Sequence, residues 1–97
     1  MGEDAAGKEA WRRSASESLT GLHDALAREI GPDETRQVGE YIEHHEFGLA
    51  LELIVSLAVR HGLDGRPYAG EVDALFKAMG MDASEYASEW RRHLGEA

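Results

Sequence analysis

The chain has 97 residues, enough for one domain, and carries 19 acidic against 10 basic side chains for a net charge of −9. It contains no cysteine, which excludes disulfides, thiolate metal sites and a cysteine nucleophile. The acidic balance argues against nucleic acid and anionic membrane as direct partners, since both want a basic face, and it fits a basic protein partner. Asparagine is absent and arginine outnumbers lysine, a composition expected of a GC-rich bacterial genome.

Residues 1–7 are small and acidic and are expected to form a flexible N-terminus, followed by a single helical domain over 8–95. The start lacks the basic and apolar regions of a signal peptide, so the expected location is cytoplasmic. From Lys8 onward, Trp11, Ala15, Leu19, Leu22, Leu26 and Ile30 recur at steps of three and four and predict one apolar stripe of a helix. Ser14, Ser16, Ser18, Thr20 and Gly21 lower its propensity, so a second start near Ser16 stays open. Gly31-Pro32 stops this helix.

Asp33 is the expected N-cap of the second helix, with Glu34 in its first turn. Thr35, Val38, Tyr41, Ile42 and His45 are expected inward. Arg36, Gln37, Glu40, Glu43 and His44 are expected in water. Residues 46–48 leave room only for a tight turn, so an αα-hairpin is predicted over 33–61, with His45 a candidate for the left-handed position at the helix end.

The segment 46–61 is the only long apolar run. Its polar residues Glu52, Ser56 and Arg60 recur every fourth position and line up on one narrow strip of a helix. A helix apolar around most of its circumference must be covered on several sides, which makes this the central helix of the domain. Ile54, Val55 and Val59 are β-branched, but the length favours helix over strand. The run is too short, and too charged at its ends, to span a bilayer about 30 Å thick.

After the loop at 62–67, Pro67 is expected to open a fourth helix with Tyr68, Val72, Leu75, Phe76 and Met79 on one face and Gly80 as its C-terminal cap. Asp82 and Glu85 resemble a capping box for a last helix carrying Ala83, Tyr86, Ala87, Trp90 and Leu94 inward. The predicted fold is all-α, a small bundle of about five helices around the central helix.

The chemistry-bearing spacings are weak. Glu40–His44 and Glu89–His93 stand four apart, whereas di-iron bundles use Glu-x-x-His at a spacing of three. His45-Glu46 is not followed by a histidine at 49, so the zinc-protease pattern fails. No phosphate-binding glycine loop, nucleophile elbow or dinucleotide fingerprint occurs. The expectation is a protein that is not an enzyme, with no metal and no cofactor.

Charge distribution is more informative. From Asp24 to Glu52 there are eight acids, opposed only by Arg28 and Arg36. Asp33, Glu34, Glu40, Glu43, His44 and Glu46 are the candidate partner-binding residues, with Glu40, Glu43 and Glu46 at steps of three on or beside one face. Such a strip steers a basic partner and raises its association rate. As a bare feature it also fits an ordinary solvated helix face.

Glu46-Phe47-Gly48-Leu49-Ala50-Leu51-Glu52-Leu53 resembles the Gly-Glu-(Tyr/Phe)-Gly-Leu-Ala-Leu-Glu-Leu segment of the MafI-type immunity proteins, small acidic helical proteins encoded beside bacterial polymorphic toxins. His45 stands where that pattern has Gly. The downstream run Leu75-Phe76-Lys77-Ala78-Met79-Gly80-Met81-Asp82, followed by Trp90, is also similar. The resemblance implies a cognate inhibitor that binds and blocks a toxin in the producing cell and performs no chemistry. Many such toxins are nucleases with basic grooves. A tetratricopeptide-like hairpin has a similar turn, so the alternative is a helical interaction or adaptor domain unrelated to toxins.

Overall fold

The computed structural model describes the backbone of residues 2–95 and the side chains of residues 9–95. Among them are five α-helices and no strand: α1 (Gly2–Ile30), α2 (Pro32–Glu43), α3 (Phe47–Arg60), α4 (Ala69–Ala78) and α5 (Glu85–His93). A 3₁₀ turn at Arg66–Tyr68 precedes α4. The central role expected of 46–61 holds, since α3 packs against all four other helices. Phe47, Ala50, Leu51, Ile54, Val55, Leu57 and Ala58 are buried on it.

α1 runs without a break through the serine-rich stretch, so the second start near Ser16 does not occur. Ala15, Leu19, Leu22 and Leu26 bury one continuous stripe, and packing of that stripe outweighs the low propensity of the serines on the other faces. The helix begins at Gly2 and so takes in most of the 1–7 segment; Met1 lies outside the described residues. At 1.5 Å per residue it is about 43 Å long, matching the longest dimension of the molecule, 44 Å. Trp11, in its N-terminal half, is 39% exposed and meets Phe47 at a ring separation of 5.9 Å.

Three expected cap positions differ. α2 starts two residues early, with Pro32 in its first turn and Gly31 at the cap, so Asp33 lies inside the helix and makes no cap bond. Proline is pre-set for a first helical position, where its missing N–H costs nothing. Pro67 falls inside the 3₁₀ turn, and α4 proper starts at Ala69. Ser84, not Asp82, caps α5, its hydroxyl accepting from Ala87 N at 3.3 Å. The Asp82 carbonyl instead accepts from Arg91 at 2.6 Å. Ala83 is exposed rather than inward, while Ala87 and Trp90 are buried.

The hairpin turn follows the expected route. Glu46 N donates to Tyr41 O at 2.8 Å and His45 N to Ile42 O at 3.1 Å, with His45 left-handed at φ 56°. That pair of bonds is a Schellman ending, and the same ending closes α3 at Gly62 and α4 at Gly80. His45 is exposed, not inward, because the left-handed step carries its side chain out over Phe47, 5.5 Å from that ring. On α2, Thr35, Val38 and Ile42 are buried and Tyr41 half-buried. The buried Thr35 hydroxyl is satisfied by donating to Gly31 O at 3.1 Å.

The loop after α3 is fastened on two sides. Arg66 donates from its backbone N and its Nε to Asp64 Oδ1 at 3.1 and 2.9 Å, and this side-chain bond holds the Asp64 carboxyl below its ordinary pKa. His93 Nε2 donates to Leu63 O at 2.5 Å and ties α5 to the same loop. Gly65 is pressed against Trp90: a Cβ there would overlap Cη2, and would stand 3.0 Å from Cζ3 and 3.1 Å from Cδ2 of Leu94. Trp90 is 4% exposed and has little room to slide. Gly65→Ala is therefore expected to cost about 1–3 kcal/mol, as overpacking does, read as a lower urea midpoint at unchanged slope. An unmoved midpoint would mean that the indole yields freely.

Candidate functional site

Asp33, Glu34, Glu40, Glu43, His44 and Glu46 are all exposed. The hairpin spreads them along its length. Asp33 and Glu34 occupy the first turn of α2, where the peptide dipoles favour negative charge. Glu40 and Glu43 sit near its other end, His44 is its C-cap and Glu46 is the N-cap of α3. The rise from Asp33 to Glu43 is about 15 Å. Glu40 and Glu43 share the outer face of α2, but the step of three does not continue to Glu46. The left-handed His45 reverses the chain, so Glu46 opens the uncovered side of α3 instead.

Their charges are not equally free. Arg36 bridges Asp33 at 3.1 Å, and His61 Nε2 lies 4.0 Å from Glu34. Exposed pairs of this kind contribute little to stability, yet they reduce the field that Asp33 and Glu34 project. Among the described residues no ion pair involves Glu40, Glu43, Glu46 or Glu52. Within the hairpin, the acids outside any ion pair are thus those from Glu40 to Glu52, around the turn.

Leu49 stands within it, 46% exposed. An apolar residue of α3 is expected under a neighbouring helix, and Leu49 is not. The expected strip of Glu52, Ser56 and Arg60 is the uncovered side, but it also includes Leu49, Leu53 and Val59, with Leu53, Val59, Glu52 and Ser56 half-buried. These residues and Glu46 span an arc of roughly 140°, counting about 100° per residue. Plotting that arc on the sequence places Leu49 between Ser56 and Arg60, which was the available signal.

Elsewhere, an apolar recess of about 260 Å³ opens between α1, α3 and the Asp64–Tyr68 loop, floored by Leu22, Leu26, Ile54 and Trp90. Glu29 and Asp64 stand at it, and Asp64 is engaged by Arg66. The Trp90 Nε1 is sealed from solvent without an acceptor, so it offers no hydrogen bond to a molecule in the recess. Among the described residues no group of three or more His, Asp or Glu side chains could hold a metal ion, and no helix is long and apolar enough to cross a membrane. His93, half of the Glu89–His93 pair, spends its Nε2 on Leu63 O.

Fold and surface together define a small all-α bundle whose α2–α3 hairpin carries Glu40, Glu43 and Glu46 exposed near its turn. Comparison with protein-family models, with curated proteins and with solved structures finds no match.

Proposed function

We propose that this protein is a bacterial immunity protein that binds a basic cognate toxin in the cytoplasm and neutralises it by occupying its surface. The observation that carries this reading is the free carboxylate group of Glu40, Glu43 and Glu46, on the hairpin that bears the immunity-like segment 46–53. A nuclease toxin presents a basic substrate groove, and carboxylates at helical spacing can fill it by imitating the phosphate charge. Such inhibition needs complementarity and no catalytic group. Charge of this kind chiefly raises the association rate, which matters when the toxin must be caught before it acts.

Co-expression with the toxin encoded by the adjacent reading frame is expected to restore growth of a sensitive host and to give a one-to-one complex on co-purification. Toxicity that persists, with no complex, overturns the reading. A complex that forms without protecting the host would favour the alternative, a helical adaptor domain, for which the partly apolar strip of α3 is equally suited.

A further inference from the structure

We infer that the uncovered side of α3 is the apolar anchor of the interface, and that it receives an amphipathic helix whose aliphatic seam is bordered by lysine or arginine. The inference rests on the reading above that the partner is a basic protein. Glu46, Leu49, Leu53, Ser56 and Arg60 alternate at steps of three and four, the spacing of a helix–helix seam. Glu46, Leu49 and Arg60 are exposed, and Leu53 and Ser56 half-buried. Among the described residues that seam is only partly covered, Leu53 touching the core at its edge, whereas the other side of α3 is buried.

An interface draws most of its strength from a few well-packed apolar or aromatic contacts ringed by polar groups. Carboxylates alone, on an exposed surface, steer a partner but hold it weakly. Leu49 and Leu53 supply the missing contact. Glu46 and Glu52 flank them at the N-terminal half, and Arg60 lies at the other end. The occupant therefore carries cations opposite Glu46 and Glu52.

A second copy of this chain fits less well. A two-fold pairing of α3 with itself sets Glu46 against Arg60, but each copy brings a net charge of −9 to the contact.

The probe is a synthetic 21-residue helical peptide with leucine at the a and d positions and lysine at e and g. Two controls are a peptide with glutamate at e and g and one of equal charge with alanine replacing leucine. The lysine–leucine peptide is expected to bind saturably, with amide shifts centred on Leu49 and Leu53, and the two controls to bind at least tenfold more weakly. Leu49→Asp should weaken binding at least tenfold while leaving the melting curve unchanged, because Leu49 is half in water already. Equal binding to Leu49→Asp, equal binding of the leucine-free peptide, or shifts confined to α2 would each overturn the inference. So would sedimentation showing a concentration-dependent dimer that Leu49→Asp abolishes. A neighbouring toxin that fails to bind would sink the immunity reading alone, while the peptide still decides the use of α3.

Discussion

Ile54→Ala is expected to remove about 2–5 kcal/mol of folding stability, through lost burial and the cavity left behind. A domain of this length holds a margin of only about 5–15 kcal/mol, so the variant should sit near the edge of folding. Ile54 is 4% exposed and lies on the buried side of α3, against which the other four helices pack. It also borders the recess between α1 and α3, so truncation enlarges an existing space instead of opening one the neighbours could close. Leu49→Ala, five positions earlier on the same helix but on its uncovered side, should change stability by less than about 0.5 kcal/mol. Urea titration of the two variants reads the contrast directly. A loss below about 1 kcal/mol for Ile54→Ala would place it outside a packed core.

That contrast marks where the residues spoke plainly and where they did not. Helix identities were legible because burial on one side leaves a period: Ala15, Leu19, Leu22 and Leu26 on α1, and Val72, Leu75 and Phe76 on α4, are the stripes expected and are buried. The reversal at His45 was legible too, since a chain that must turn in three residues needs a left-handed step and histidine tolerates one. Cap positions were harder. Asp82 and Ser84 are both good capping residues two positions apart, and local chemistry alone does not choose between them. Ser84 takes the cap where Ala87 and Trp90 then fall on the buried side.

The candidate surface divides in the same way. Exposure of Glu40, Glu43 and His44 follows from the period of α2, and the Arg36–Asp33 pair from a spacing of three within one helix. The approach of His61 to Glu34 crosses the hairpin between residues far apart in sequence, so no local rule reveals it. Leu49 is a third case. An apolar residue on a central helix is expected inside, and the signal against that is its angular place between Ser56 and Arg60, which the exposure of that side of α3 bears out.

Reversing the free carboxylates, Glu40→Lys with Glu43→Lys and Glu46→Lys, is expected to weaken toxin binding at least tenfold while the protein stays folded. All three side chains are exposed and, among the described residues, none takes part in an ion pair, so no such pair is lost. Lysine at 43 lies near the C-terminus of α2, where a cation is favoured, and lysine at 46 lies at the N-terminus of α3, where it is not. The two effects are each about 0.3–1 kcal/mol and oppose one another, so the melting temperature should barely move. Binding responds differently. Reversal turns an attractive field at the turn end of the hairpin into a repulsive one, which slows association, and any of the three that is desolvated against a toxin cation adds about 2–5 kcal/mol in the off-rate. The wild-type on-rate should fall as salt rises past about 0.15 M, where the screening length is about 8 Å, and the on-rate of the triple variant should fall far less. Asp33 and Glu34 make an internal comparison, because Arg36 and His61 already blunt their charge; Asp33→Lys with Glu34→Lys should cost less than the triple variant. Glu85 and Glu89 on α5 serve as the outer control. If reversing those two abolishes protection from the toxin while the triple variant still protects, the binding surface lies on α5 and not on the hairpin.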